Sequence, residues 1–103
     1  MDQLERIKTM EQHLDRASQA VMQLSAALDN YAAARQAIQE LSAYYGSDEW
    51  KHDYADDEAG LLPQSLKRGV LSEDGIWNLL TDSRELNARL LSIVDDYSKQ
   101  EKP

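Results

Sequence analysis

The feature that most constrains this chain is an unbroken run from residue 3 to residue 45 that contains neither glycine nor proline. Along it, apolar side chains recur at alternating spacings of three and four, the heptad pattern of a helix that packs along one stripe. Two rows make up the stripe: Ile7, Leu14, Val21, Leu28 and Arg35 in the first, and Met10, Ala17, Leu24, Tyr31, Ile38 and Tyr45 in the second. Only Arg35 interrupts them. The sequence therefore predicts a coiled-coil-like helix over about 3–45, ended by Gly46.

Composition limits the classes of function that this chain can have. The 103 residues are expected to form one domain, and 19 acidic against 11 basic residues give a net charge of −8. This charge opposes binding to nucleic acids and to anionic membranes. The absence of cysteine excludes disulfides, thiolate metal ligands and cysteine nucleophiles. No stretch has the length of a signal peptide core or a membrane span, so we expect a cytoplasmic protein.

A connector of about 47–71 separates the long helix from a second periodic segment. Ser47, followed by two acids, has the pattern of a helix N-cap. We expect a short helix from there to Ala59, ended by Gly60, that buries Trp50 and Tyr54 on one side. Both tryptophans are expected to pack on Tyr44 and Tyr45.

The other side of the short helix carries carboxylates four residues apart, at Glu49, Asp53 and Asp57. Like charges at this spacing destabilise a helix, so a nearby cation is expected to relieve them. The nearest source along the chain is the pair Lys67 and Arg68, which follows a turn containing Leu62-Pro63. If the connector hosts a function, the expected interaction residues are its aromatic and charged side chains: Trp50, Asp53, Tyr54, Asp57, Lys67 and Arg68.

The third segment has a clear start. Ser72 is the expected N-cap, and Leu71 with Ile76 can form a hydrophobic staple, although Gly75 stands where a capping box requires Glu or Gln. A helix is predicted over about 72–98, followed by a frayed tail at 99–103. Its seam runs through Ile76, Leu79, Ser83, Leu86, Leu90, Ile93 and Tyr97.

These elements predict an all-α fold, an antiparallel long-helix hairpin with the short helical, acidic connector at one end. In this register Ile38 faces Leu80, Leu28 faces Leu90, and Leu24 faces Val94. Arg35 faces Ser83 beside Asp82, which we interpret as a register lock, because polar seam residues disfavour alternative pairings.

The predicted hairpin leaves the start of the long helix without a facing helix. We call these four residues the N-terminal seam: Leu4, Ile7, Met10 and Leu14. Either these residues are exposed to solvent, or the helix breaks near Asp29-Asn30 and folds back, or a second chain covers the seam. The sequence favours a two-fold homodimer that completes an antiparallel four-helix arrangement.

The connector and its flanks also resemble a known family. The order LSAYYGSDEWKHDYADDEAGLLPQSLKRGVLSEDGIWNLL, followed by RELNARLL, is similar to a small bacterial family recorded as domain of unknown function 4298. The resemblance extends from about Arg6 to Leu91 and is strongest over Tyr44-Tyr45, Trp50, Asp53, Leu62-Pro63 and 66–74. It implies an all-helical cytoplasmic protein and carries no catalytic residues.

The favoured function is a non-enzymatic interaction or scaffold module that self-associates through its long helix, with the acidic connector meeting a basic protein. One alternative is a metal-dependent site or hydrolase built from His52, Asp53, Asp56 and Asp57. Residues four apart on a helix share a face, so two pairs of this set could each bind a metal ion through two side chains. The sequence contains no recognised metal-ligand motif, however. Another alternative is an acidic mimic of nucleic acid. No cofactor is expected, because the sequence has neither a Gly-rich phosphate loop nor a recognised ligand pattern.

Overall fold

The computed structural model describes residues 2–100, and these form three α helices and one 3-10 turn without a strand. The elements are α1 at Gln3–Tyr44, α2 at Asp48–Glu58, the 3-10 turn at Gly69–Leu71 and α3 at Gly75–Gln100. The all-α class and the order of long helix, short helical connector and long helix are confirmed. Helix α1 is continuous through Asp29-Asn30, so the alternative of a break there is wrong.

The chain divides into two units, one up to Gln36 and one from Ala37 onwards. The described part of the first unit is the helical segment of α1, opened by Asp2, whose carboxylate accepts the backbone N–H of Glu5 at 2.8 Å. Nearly every side chain in it is exposed. Seven large apolar side chains at seam or adjoining positions are 44–68 % exposed. We call them the α1 apolar face: Leu4, Ile7, Met10, Leu14, Val21, Leu24 and Leu28.

The core of the second unit is small and lies where the connector meets α3. Leu71, at the end of the 3-10 turn, and Ile76, in the first turn of α3, are the two buried hydrophobic side chains of the described residues, at 6 % and 2 % exposure. They are the pair that the sequence predicts as a hydrophobic staple. The staple therefore forms the centre of this unit.

The last turns of α1 and the first turns of α3 lie beside this core. Leu41 of α1 lines one open groove together with Ile76 and Leu79 of α3. Ile38 and Leu80, which the predicted antiparallel register places opposite each other, are both half-buried. Lys67, Gly69, Val70 and Gly75 complete the groove.

The predicted seam farther from the connector is not buried. Leu24 is 52 % exposed and Val94, its predicted partner, is 62 % exposed. Leu28, which is predicted to face Leu90, is 44 % exposed. The pairing of Arg35 with Ser83 stays a prediction.

The boundaries of α3 differ from the predicted ones. The helix begins at Gly75 because the 3-10 turn continues to Leu71, and the Ser72 hydroxyl oxygen accepts the Gly75 N–H at 3.0 Å from the bend between them. At the other end α3 continues to Gln100, past the predicted 98, and Lys99 pairs with Asp95 at 3.1 Å. The rest of the predicted frayed tail, 101–103, lies outside the described residues.

Among residues 2–100, none of the helices offers the length of apolar sequence that a bilayer crossing requires.

Candidate functional site

The turn between α1 and α2 positions the connector. Gly46 has a φ of 79°, in the left-handed region that favours glycine, and it ends α1 as predicted. Ser47 then caps α2, since its hydroxyl oxygen accepts the Trp50 N–H at 3.1 Å and its O–H donates to the Tyr44 carbonyl at 2.6 Å. The start of α2 is thereby fixed to the end of α1.

This short turn brings Tyr44 onto the acidic side of α2. Its hydroxyl donates to the Asp53 Oδ2 at 2.6 Å. The hydrogen bond is the main cause that raises the pKa of Tyr44 to about 12, with smaller contributions from burial and from the charges of Asp53 and Glu49. Asp53, one member of the predicted carboxylate stripe, is thus held by a phenol and not by a cation.

Tyr44 is therefore expected to titrate later than an ordinary tyrosine. Because its pKa is higher in the folded state, its hydrogen bond contributes fully below pH 10 and the contribution disappears as the pH rises from 10 to about 12. Spectrophotometric titration of tyrosinate should show a group that ionises near pH 12 and that Tyr44→Phe removes. Tyr31→Phe is the control, and a group that still ionises near pH 12 in Tyr44→Phe would contradict the assignment.

Three aromatic rings form a continuous cluster beside this hydrogen bond. Tyr45 meets Trp50 edge to face and Trp50 stacks on Tyr54, each pair with centroids 5.2 Å apart. The Trp50 indole N–H also donates to the Val70 carbonyl at 2.9 Å, which ties α2 to the 3-10 turn. Trp50 and Tyr54 are half-buried, and the predicted packing of Trp50 on Tyr45 is correct. Trp77 does not join the cluster: it is 54 % exposed.

Tyr54 carries the cluster towards the start of α3. Its hydroxyl lies 3.5 Å from the Glu73 Oε1, at the limit of a hydrogen bond. The negative charge of Glu58 raises the pKa of Tyr54, with smaller contributions from partial desolvation and from Glu73. The rim of the aromatic cluster is therefore acidic on both sides of Tyr54.

Arg68 supplies the cation that the sequence requires for the stripe. Its guanidinium Nη1 lies 2.9 Å from the Asp57 Oδ1 in a partly exposed ion pair. The predicted relief of the carboxylate repulsion is thus present for Asp57. Lys67 instead lines the groove beside Leu41, and Glu49 is exposed.

Of the four residues of the predicted metal site, His52 and Asp56 pair with each other, whereas Asp53 and Asp57 pair with residues outside the set. His52 lies 3.4 Å from Asp56 through its Nε2, one turn along α2. Asp53 accepts from Tyr44, and Asp57 pairs with Arg68. Within residues 2–100, no group of three or more His, Cys, Asp or Glu side chains is placed to hold a metal ion.

The structure adds three partners that the sequence does not indicate: Tyr44, the Val70 carbonyl and Glu73. The sequence partly indicates the contact of Tyr44 with Asp53, because Tyr44 directly precedes the turn that reverses the chain onto α2. Nothing in the local pattern connects Trp50 with a carbonyl 20 residues away. We call the set formed by Tyr44, Tyr45, Trp50, Asp53, Tyr54, Asp57 and Arg68 the connector surface.

Comparison with known proteins gives one assignment. Neither the curated proteins nor the solved structures provide a match to this chain. The model of the family described as a domain of unknown function, DUF4298, matches residues 7–93, which include all of the connector surface. The chain therefore belongs to the DUF4298 family.

Proposed function

We propose that this protein is a non-enzymatic interaction module that self-associates through the α1 apolar face and presents its connector surface to a basic protein. The observation that carries the proposal is the exposure of that face. Seven large apolar side chains, from Leu4 at 68 % to Leu28 at 44 %, are in contact with water on one stripe of one helix. Contiguous apolar patches of this kind mark interaction sites in proteins that are not membrane-embedded.

The stability of the helix also supports a partner. Helical segments that bury no apolar face are marginal in water, and most helical stability in proteins comes from packing. In the described part of the first unit no side chain is buried. A second helix along the stripe would supply the packing that α1 lacks.

The connector surface suits recognition better than catalysis. Asp53, Asp57 and His52 are each engaged by a neighbouring side chain of the connector. Residues 44–66 nevertheless hold six acids against Lys51 alone. An acidic rim around a half-buried Trp50 is a surface for lysine or arginine side chains, by charge and by cation–π contact.

Light scattering after size exclusion, over a tenfold concentration range, tests the self-association. The wild-type chain is expected at twice the monomer mass. A variant with Leu4, Ile7, Met10 and Leu14 changed to glutamine is expected at the monomer mass, because four of the seven side chains of the α1 apolar face become polar. Met22→Gln is the matched control, since Met22 is 72 % exposed but lies off the stripe. A monomeric wild-type chain would overturn the proposal.

A further inference from the structure

We infer that the α1 apolar face is covered by a second copy of this chain running antiparallel to the first, with the two-fold axis beside Ala20. This inference rests on the proposed self-association and adds the orientation and register of the two helices. In this register four facing pairs recur on each side of the axis: Ile7 with Tyr31, Met10 with Leu28, Leu14 with Leu24, and Ala17 with Val21 of the second copy.

The exposed area fits a dimer interface. From their exposed fractions, the seven side chains of the α1 apolar face present on the order of 700 Å² per copy, close to the roughly 800 Å² per partner of a standard interface. In the inferred register each of the six side chains of this face from Ile7 to Leu28 meets an apolar side chain of the second copy. One helix per copy is therefore sufficient to form a stable contact.

The distribution of charge favours the antiparallel orientation. Residues 2–36 hold five acids and four bases, a net charge of −1, so −7 of the chain's −8 lies in residues 37–103. Association through the first unit is thus almost free of net repulsion. A parallel dimer would place both strongly acidic units at the same end of the paired helices, whereas an antiparallel dimer places them at opposite ends.

The position of Arg35 also favours the antiparallel orientation. In a parallel dimer in register, Arg35 would face Arg35 of the second copy in the seam, and like charges in direct opposition are destabilising. In the inferred antiparallel register it comes opposite Gln3, beside Asp2 of the second copy, whose charge is opposite.

The positions that flank the seam allow the helices to come close near the axis. Between residues 18 and 34 they are all small: Ser18, Ala20, Ser25, Ala27, Ala32 and Ala34. The charged flanking residues Arg6 and Glu11 then meet Ala34 and Ser25 of the second copy. No flanking position brings two like charges together.

Cross-linking with single cysteines tests the orientation, and the absence of native cysteine makes the readout clean. Ala20→Cys and Ala27→Cys are a matched pair, the same substitution one heptad apart on the same flank. In the inferred dimer the two thiols of the Ala20→Cys variant face each other across the axis. The two thiols of the Ala27→Cys variant lie about 21 Å apart along the helices, at 1.5 Å per residue. A short bismaleimide should therefore cross-link Ala20→Cys at least about tenfold more than Ala27→Cys, because proximity raises the effective concentration of the second thiol.

The mass of each variant before cross-linking distinguishes a wrong orientation of the dimer from a failure to self-associate. Dimers in which both variants cross-link to the same extent would overturn the antiparallel orientation but leave self-association intact. Dimers in which Ala20→Cys does not cross-link would overturn the position of the axis. Monomers would overturn the inference together with the proposed function.

Discussion

Replacing Ile76 with alanine is expected to lower the free energy of unfolding by about 2–5 kcal/mol, the usual range for removing a fully buried aliphatic side chain. Ile76 is the most buried side chain of the described residues, at 2 % exposure. Leu71, at 6 %, is the only other buried side chain among them. In a core of two side chains, no other buried side chain compensates for the loss of Ile76. Small domains have total stabilities of about 5–15 kcal/mol, so this change removes a large fraction.

The effect is measurable as a fall in melting temperature of more than about 10 °C by circular dichroism, since each kcal/mol shifts a domain of this size by about 4–8 °C. Leu91→Ala is the matched control: the same class of truncation on α3, at a side chain that is 71 % exposed. It is expected to change stability by no more than about 0.5 kcal/mol. Equal melting temperatures for the two variants would contradict the assignment of the core.

The second large effect is expected at Gly75, the first residue of α3. A Cβ at this position would overlap the Gly69 carbonyl oxygen and lie 2.8 Å from the Ser72 Oγ. These two groups already hydrogen-bond to each other at 2.8 Å, and the Gly75 N–H donates to the same hydroxyl at 3.0 Å. An added methyl must therefore displace backbone and open the cap, at a cost of about 1–3 kcal/mol.

Gly75→Ala reverses the usual sign of this substitution, because alanine is normally favoured over glycine in a helix by about 1 kcal/mol. Urea denaturation is expected to show a lower midpoint with an unchanged slope. Gly69→Ala is the matched control in the same bend, since nothing lies within 4 Å of a Cβ there. If both variants matched the wild-type midpoint, the close approach at Gly75 would not exist in solution.

Gly75 also illustrates where local sequence rules fail. A capping box requires Glu or Gln at this position, and Gly75 departs from that rule. The departure has a tertiary cause: the 3-10 turn folds Gly69 directly over the start of α3, so no side chain fits. Such an approach between residues six apart is invisible to a pattern of local preferences.

Other parts of the molecule follow directly from local rules. Ser47 caps α2, Gly46 ends α1, and the staple pair Leu71 and Ile76 becomes the core, because each depends only on residues a few positions apart. The ion pair of Arg68 with Asp57 follows from charge balance alone. The contact of Tyr44 with Asp53 requires the geometry of the turn, and the hydrogen bond from the Trp50 indole to the Val70 carbonyl requires the position of the 3-10 turn, so neither is available from spacing.

The hydrogen bonds of the connector have a consequence for how this chain folds. The partners in Tyr44–Asp53, Arg68–Asp57, Tyr54–Glu73 and Trp50 with the Val70 carbonyl are separated by 9, 11, 19 and 20 residues. Closing such short loops costs little chain entropy, and rapid folding correlates with contacts of short sequence separation. The irregular connector, and not either long helix, is thus the expected folding nucleus, and mutations there should slow folding whereas mutations at exposed positions of α3 should leave its rate unchanged.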